Sequence, residues 1–236
     1  MHLSIAVSKI GKWAVSQSGD TLEMIERPRG GISLVLADGQ SSGPGAKATS
    51  IRVVRKVITE LAEGVRDGAA ARAANDMLHA YRAGRVSATL VILSVEADTG
   101  LLIVTRCGNS VVYVRHPERE IEALKTDVPS LGFYRYSRPQ VERISLEPGL
   151  LAIACSDGLL HAGRRSGERM DMTETIDAIW QTSPSARSVA DELLNQAVTL
   201  DNGRPRDDMS VVVLHMQPGP SKGTRHLQVG MPIPDR

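Results

Sequence analysis

The hydrophobic positions near the N-terminus change from a strand pattern to a helix pattern. Residues 21–27 and 32–37 have strand patterns and are separated by the Pro/Gly sequence of residues 28–31, which predicts a β-hairpin. Apolar residues then recur at helical spacing and predict an amphipathic helix, with Ile51, Val54, Val57, Ile58, Leu61 and Val65 on one face. A second helix is predicted over residues 69–83, with Ala70, Ala73, Ala74, Met77 and Tyr81 facing inward and Gly84 as its C-terminal cap.

Strand patterns return in the middle of the chain. Residues 87–116 contain three apolar runs, separated by turn sequences at 98–100 and 108–109. Residues 140–158 repeat the pattern around a turn at 147–149. Such short links favour antiparallel neighbours, so we expect each pair of consecutive runs to be adjacent in a sheet.

The order of the elements predicts an α+β fold. Two more helices are expected near residues 173–181 and 185–200, followed by a last strand over 209–216. Strands, two helices, several strands, two helices and a strand do not form an alternating βαβ pattern. Two sheets packed face to face, each covered by helices, would bury runs that are apolar on both faces. We predict one domain, residues 1–217, followed by a Pro/Gly-rich tail, residues 218–236.

Composition excludes several classes of partner. The 236 residues include 28 basic and 27 acidic side chains, so net charge gives no reason to expect a nucleic-acid or membrane partner. The chain has neither a basic leader nor an apolar run near the roughly 20 residues of a membrane span, and we expect a cytoplasmic protein. Cys107 and Cys155 both lie in apolar runs, which favours two reduced core thiols; a disulfide between them stays open.

Acidic residues stand at the ends of the most apolar strands. Asp38 and Asp157, each followed by glycine, end two such runs, Asp207 and Asp208 precede the last strand, and Asp20 begins the first. A single Asp-Gly is ordinary turn chemistry. Acids at these four strand ends, with Asp207 and Asp208 counted as one position, would repel one another if the strands lie side by side in a sheet. They would also be costly to bury unpaired. A hard divalent cation solves this problem, and since no His/Cys cluster has metal-ligand spacing, Mg²⁺ or Mn²⁺ is favoured over zinc.

Six short segments together resemble a known family. They are LVLADGQSSG, SATL, GNSVVYV, PSLG, EPGLLAIACSDGL and DDMSVVVL. Their order and spacing resemble those of the metal-dependent protein serine/threonine phosphatases (the PPM or phosphatase 2C family), in its bacterial sporulation-stage-II-E-like branch. The resemblance runs from about Asp20 to Leu214 and implies a four-layer α/β/β/α sandwich of two antiparallel sheets flanked by helices. It also implies hydrolysis of phosphoserine or phosphothreonine in proteins by water activated at two Mg²⁺ or Mn²⁺ ions.

The same resemblance implies the roles of individual residues. Asp38 corresponds to the carboxylate that bridges both metals, and Gly39 to the residue that offers its backbone carbonyl. Asp157 corresponds to a terminal ligand of the second metal. Asp207 corresponds to the metal ligand of the last motif and is preferred to Asp208 because the ligand is the first residue of that pair. Asp20 corresponds to the acid that holds the first metal, largely through water.

Some positions depart from the family pattern or add to it. Gln40 replaces a histidine that many members carry as a general acid, which predicts slower turnover on poor leaving groups. Asn109 stands where relatives with a third metal have aspartate, which predicts weak or no third site. His161 follows Asp157 closely enough to reach the site, although a surface role is the simpler interpretation. Arg135 and Arg138 fall in the family's variable flap, where they are candidates for substrate binding beside the alternative of a locally packed loop.

Three functions remain open from the sequence. The leading hypothesis is a phosphatase in bacterial signalling, whose partner by analogy with the branch is an anti-sigma antagonist or a stress-signalling scaffold. A catalytically weak module that binds phosphoproteins is the second. A hydrolase of small phosphorylated metabolites is the third. Metal-dependent hydrolysis of an aryl phosphate distinguishes the enzymes from the binding module.

Overall fold

The structure, a computed structural model, describes residues 1–220, 223–230 and 232. Strands and helices follow one another along this part of the chain as β1 (His2–Ile10), β2 (Asp20–Glu26), β3 (Gly31–Gly39), α1 (Pro44–Ala62), α2 (Asp67–Arg82), β4 (Ala88–Glu96), β5 (Leu101–Cys107), β6 (Val112–Arg115), β7 (Glu122–Leu124), β8 (Gln140–Ser145), β9 (Leu151–Cys155), α3 (Asp157–Leu160), α4 (Met172–Thr182), α5 (Ala186–Leu200) and β10 (Met209–Gln217). The predicted hairpin, both helix pairs and the last strand are all present.

The helices begin where the sequence supplies start signals. α1 begins at Pro44, whose missing N–H costs nothing in a first helical turn. α4 follows Asp171, whose side chain accepts hydrogen bonds from the backbone N–H groups of Thr173 and Glu174. Ser185 caps α5 in the same way through the N–H of Ser188.

Two antiparallel sheets of five strands form the centre of the molecule. Their strand orders are β1-β10-β9-β6-β7 and β2-β3-β4-β5-β8. One apolar core lies between the sheets, a second lies between the first sheet and α4 and α5, and a third lies between the second sheet and α1 and α2. The predicted α+β sandwich of four layers is therefore confirmed.

Side-chain alternation along β3 shows how one strand serves two cores. Leu34 and Leu36 face the core between the sheets, whereas Val35 and Ala37 face α1 and α2. Because both faces are buried, the strand is apolar throughout, as its sequence suggested. Asp38 comes two residues after Leu36 and so lies on the face directed toward the other sheet.

Two of the predicted strand pairings are wrong. β5 pairs with β4 and β8, whereas β6 pairs with β7 and β9 in the other sheet. β8 and β9 are likewise split between the sheets. The turns at 108–109 and 147–149 therefore carry the chain across the sandwich, whereas the turn at 98–100 closes a hairpin of neighbouring strands, as does the one at 28–31.

The inward face of the first helix pair also differs from the prediction. Tyr81 is not buried; the residue is 45% exposed, and the Arg52 guanidinium lies 4.1 Å from the centroid of its ring. Leu78 and Asn75 are the buried residues on this part of α2. Asn75 is buried because its amide binds the loop that follows β7, a contact that hydrophobic spacing does not reveal. Val65 lies beyond the end of α1.

The remaining expectations concern the two cysteines, membrane-spanning helices and the C-terminal tail. Cys107 and Cys155 are free and buried, as the interpretation as core thiols predicted. Within residues 1–220, 223–230 and 232, no helix combines the length and apolar character that a membrane crossing requires. In the predicted tail, residues 218–220, 223–230 and 232 have neither helix nor strand, and the other positions of 218–236 lie outside the described residues.

Candidate metal centre

A pocket of about 400 Å³ opens at one end of the sandwich, where strands from both sheets end. Three acidic side chains, one lysine and several hydroxyl groups line it. The lining residues are Lys12, Asp38, Gly39, Gln40, Ser41, Ser42, Ser87, Ala88, Thr89, Ser130, Asp157 and Asp207. The three carboxylates come from positions that are far apart in the sequence, and the fold brings them together.

One sheet contributes Asp20 and Asp38. These residues are directly opposite each other in the antiparallel pairing of β2 and β3, which places both side chains on the face toward the other sheet. Asp38 reaches the pocket, whereas Asp20 is fully buried behind it. Gly39 follows with no room for a side chain, because a Cβ atom there would lie 2.1 Å from the carbonyl oxygen of Ala46 in α1.

The other sheet contributes Asp157 and Asp207, which corrects the expectation that all four acids lie in one sheet. Asp157 is the first residue of α3, just beyond β9, and Asp207 precedes β10. Gly158 permits the close contact between these segments, since a Cβ atom there would lie 2.2 Å from the carbonyl oxygen of Asp208. Ser156 fixes the same junction, because its Oγ accepts from the N–H of Ser210 at 2.9 Å.

The negative charges in this cluster affect one another. Burial first, and then the charges of Asp20, Asp157 and Asp207 and a hydrogen bond with Asp157, raise the pKa of Asp38 to about 9. Burial raises the pKa of Asp20 to about 6, although its hydrogen bonds with Ser210 and Ser156 oppose this. Burial also raises the pKa of Asp207. Positive charge close to these carboxylates would therefore stabilise their ionised forms.

Two lysines supply part of that charge from beneath the pocket. The Nζ atoms of Lys9 and Lys47 both donate to the backbone carbonyl of Asp20, at 2.6 and 2.7 Å. Burial lowers the pKa of both lysines, and the nearby Asp20 carboxylate opposes this. These ammonium groups hold the backbone of Asp20 and connect β1 and α1 to it.

Asp208 has a structural task that distinguishes it from Asp207. Its two carboxylate oxygens accept from the backbone N–H groups of Lys12, at 2.9 Å, and of Gly19, at 2.6 Å. It is buried and fastens the loop between β1 and β2. Asp207, in contrast, lines the pocket. The choice of Asp207 over Asp208 as a ligand agrees with this division.

The residues present fit divalent cations bound through oxygen. Asp20 Oδ1 is buried and has no hydrogen-bond partner among the described residues, although Oδ2 accepts from Ser210 Oγ at 2.6 Å. In the part of the chain that the structure describes, no three acidic, histidine or cysteine side chains converge closely enough to enclose one ion. Mg²⁺ does not require that, because it usually takes one or two carboxylates and keeps several waters. Carboxylates, a backbone carbonyl and an open pocket provide this donor set.

Residues 28–217 match the family model described as stage II sporulation protein E (SpoIIE). The chain belongs to this family. The stage II sporulation protein E of Priestia megaterium is 22% identical to it over 201 residues, which cover 85% of this chain and 34% of that relative. The resemblance inferred from the six motifs is therefore confirmed, and the chain spans about a third of this curated relative.

Solved structures share the fold of this SpoIIE-family chain. The PP2C phosphatase domain of SpoIIE from Bacillus subtilis, solved with a fragment of its regulatory domain, superposes with a TM-score of 0.77 at 20% identity. That match covers 92% of this chain and 64% of the other. The catalytic domain of the serine/threonine phosphatase PstP, solved with two manganese ions, gives a TM-score of 0.70 at 18% identity and covers 92% of this chain and 99% of that one.

Of the other residues singled out in the SpoIIE-family sequence, Gln40 lines the pocket, whereas His161 and Asn109 do not. Gln40 Oε1 accepts from the N–H and the Oγ of Ser87, both at 3.1 Å, which fixes its amide against the pocket wall. His161 is exposed and lines a separate cleft beyond α3. Asn109 is exposed in the link that crosses between the sheets.

Arg135 and Arg138 are not among the residues that line the pocket. They are exposed on the loop that leaves the pocket wall after Ser130. Asn75 holds this loop, since its Nδ2 donates to the carbonyl of Tyr134 at 3.1 Å. The two arginines are therefore outside the lining of the pocket.

Sequence reasoning missed the polar residues that support the acids. Lys9, Lys47, Ser156 and Ser210 all contact Asp20 or the segments that carry Asp157 and Asp207. A weak signal existed for Ser210 alone. It lies two residues before Val212 in an alternating strand, and so on the face toward the other sheet.

Proposed function

We propose that this chain is a Mg²⁺- or Mn²⁺-dependent phosphatase that hydrolyses phosphoserine or phosphothreonine in a protein substrate. One observation carries the proposal: Asp38, Asp157 and Asp207, from three distant segments, line one solvent-accessible pocket. Asp20 lies behind them with a buried carboxylate oxygen that lacks a partner among the described residues. Membership of the SpoIIE family and the shared fold of PP2C phosphatase domains support the same activity.

In this proposal Asp38, Asp157 and Asp207 act as the catalytic carboxylates by holding two cations. Asp38 would contact both, the carbonyl of Gly39 and the buried Asp20 would serve the first, and Asp157 and Asp207 would serve the second. When bound, two divalent cations supply an activated water nucleophile and offset the charge that develops on the phosphoryl oxygens. The PstP structure with two manganese ions supports this number.

The chain's own side chains supply neither a thiolate nucleophile nor an acid at position 40. Burial raises the pKa of Cys107 and of Cys155 to about 12, so neither thiol ionises near neutral pH. Gln40 has an amide that cannot transfer a proton to the leaving group at neutral pH, and its oxygen is occupied by Ser87. Other residues can orient the substrate, because the hydroxyls of Ser41, Ser42 and Thr89 line the pocket and can donate to phosphoryl oxygens.

The physiological setting belongs to the same proposal. A phosphorylated protein in bacterial signalling, such as an anti-sigma antagonist or a stress-signalling scaffold, is the expected partner, and the cytoplasm the expected location. Arg135 and Arg138 would contact such a substrate outside the pocket, since both are exposed on the loop that follows the pocket residue Ser130.

Hydrolysis of p-nitrophenyl phosphate and of a phosphothreonine peptide, each with Mn²⁺ and with EDTA, tests the proposal. We expect activity on both substrates with Mn²⁺ alone, and its loss in Asp157→Asn. Asp127→Asn, which changes an exposed carboxylate in the same chemical way, is the matched control and should keep the activity. Activity in EDTA or in Asp157→Asn would refute the mechanism. Peptide binding without hydrolysis would identify a binding module, and aryl phosphate hydrolysis without peptide hydrolysis would identify a small-molecule hydrolase.

A further inference from the structure

A second charged surface lies beside the pocket, on the side of Asp157 and Asp207. It consists of exposed side chains from three loops, and we call it the arginine rim: Trp13, Arg164, Arg165, Arg169, Arg204 and Arg206. Residues 161–170 and 204–206 together contain these five arginines and a single acid, Glu168, and the buried Asp201 pairs with Arg206 at 3.8 Å. In a chain whose net charge is only +1, this is a marked local excess of positive charge.

Hydrogen bonds donated by backbone N–H groups join the three loops into one surface. Asp201 is buried, and its carboxylate accepts from the N–H of Gly163 at 3.1 Å and from the N–H of Arg206 at 2.9 Å. The N–H of Trp13 donates to the carbonyl of Pro205 at 2.7 Å. The rim is therefore held in place by the fold, although its side chains are exposed.

The rim has features of a recognition surface. Trp13 is 59% exposed, and the Arg204 guanidinium lies 5.6 Å from its ring centroid. A cleft of about 190 Å³ lies near it, lined by Leu160, His161, Arg164 and Arg169. Tryptophan and arginine are the side chains most enriched among residues that dominate binding energy at interfaces.

The rim is continuous with the acidic pocket. Lys12, which lines the pocket, directly precedes Trp13. On the other side, the N–H of His161 donates to the carbonyl of Asp157 at 2.9 Å. A polypeptide that leaves the pocket in this direction crosses the arginines within its next few residues.

We propose that the arginine rim binds acidic residues that flank the phosphorylated residue of a protein substrate, a proposal that rests on the proposed phosphatase function. Guanidinium groups pair with carboxylates through two parallel hydrogen bonds. The carboxylates of the pocket repel an acidic substrate, and positive charge at the entrance opposes this repulsion and speeds encounter. An acidic polypeptide fits better than a nucleic acid because the rim offers one exposed aromatic ring, not a row of stacking platforms.

Charge reversal on both sides of the contact tests the rim. Three phosphothreonine peptides with the same core and with glutamate, glutamine or lysine flanks are compared by kcat/KM in Mn²⁺. We expect the wild-type protein to prefer glutamate over lysine flanks by roughly tenfold, with the preference shrinking at high salt. Arg164→Glu/Arg169→Glu should reverse this order. Arg29→Glu, an exposed arginine in the turn between β2 and β3, is the matched control and should keep it.

The ratio of two peptides within one variant is the readout, so a general loss of activity cancels. Hydrolysis with no preference for flanking charge, or with a preference that persists in the double charge-reversal variant, would refute the proposed role of the rim. It would not refute the proposed phosphatase activity. Fluorescence anisotropy with unphosphorylated peptides measures docking on the Mn²⁺-loaded protein without turnover. The same charge order there, in a protein that hydrolyses no phosphopeptide, would support the rim and refute the phosphatase. Tighter binding of an oligonucleotide of equal charge would assign the surface to nucleic acid and overturn the proposal.

Discussion

Asp38→Asn should make the metal-free protein more stable, although it removes the central ligand of the proposed site. Without cations, Asp38 lies among the carboxylates of Asp20, Asp157 and Asp207, and its pKa is raised to about 9 by burial and by their charges. Asparagine keeps the shape of the side chain and removes the charge. The substitution therefore removes a repulsion that the two lysines offset only in part and that bound cations would offset further.

The magnitude and its dependence on pH follow from the shifted pKa. An unfolded aspartate ionises at about 3.9, so above this pH the folded chain must hold a proton on Asp38 that the unfolded chain releases. Each pH unit above about 3.9 lowers the free energy of unfolding by about 1.4 kcal/mol, and the total loss is about 4 kcal/mol at pH 7. Water in the open pocket screens part of this, and we expect Asp38→Asn to gain about 2 kcal/mol at pH 7. The gain should vanish near pH 4 and grow as pH rises toward 9.

Urea unfolding followed by circular dichroism, in EDTA and in saturating Mn²⁺, measures this effect. In Mn²⁺ the order should reverse, because cations at 100 times their dissociation constant stabilise the wild-type protein by about 2.7 kcal/mol and the variant by little. Asp127→Asn should change neither condition. A variant that is less stable than wild type in EDTA, or that gains as much from Mn²⁺, would show that Asp38 neither experiences the repulsion nor binds the cations.

Four further substitutions probe the site and its supports. Gly158→Ala should reduce activity and stability, because its Cβ would lie 2.2 Å from a backbone oxygen; normal activity with an unchanged melting temperature would contradict this contact. Asp208→Asn should destabilise the fold by about 1–3 kcal/mol, whereas Asp207→Asn should instead weaken Mn²⁺ binding measured by calorimetry; the reverse outcome would exchange their roles. Ser210→Ala should cost about 1–3 kcal/mol in chemical unfolding by leaving Asp20 without its 2.6 Å hydrogen bond, and no loss would mean that water replaces the hydroxyl.

The fold was predictable from the sequence wherever the hydrophobic spacing fits only one type of secondary structure. The helix near residues 173–181 and the hairpin around 28–31 follow from periodicity and turn residues. The assignment of strands to sheets was not predictable from the sequence. Segments such as β9 are buried on both faces and therefore lack the alternation of apolar and polar residues that would indicate which face packs against which partner. The turn at 108–109 therefore resembles a hairpin turn although it joins two sheets. β1, with mostly half-buried and exposed residues, was missed for lack of an apolar run.

The candidate site was predictable in its acids and not in their surroundings. Asp38 and Asp157 attract notice because a carboxylate at the end of an apolar strand needs an explanation. Ser210 and Asp20 are 190 residues apart, and nothing in the sequence of either segment indicates their hydrogen bond. The two lysines on one carbonyl depend in the same way on how β1, β2 and α1 pack.

The most direct test of the account is a crystal structure of the Mn²⁺-soaked protein with anomalous diffraction data. We expect two manganese peaks in the pocket, about 3.5–4 Å apart, with Asp38 between them and Asp157 and Asp207 beside the second. Full occupancy of other sites with none in this pocket, or peaks that do not contact Asp38, would contradict it.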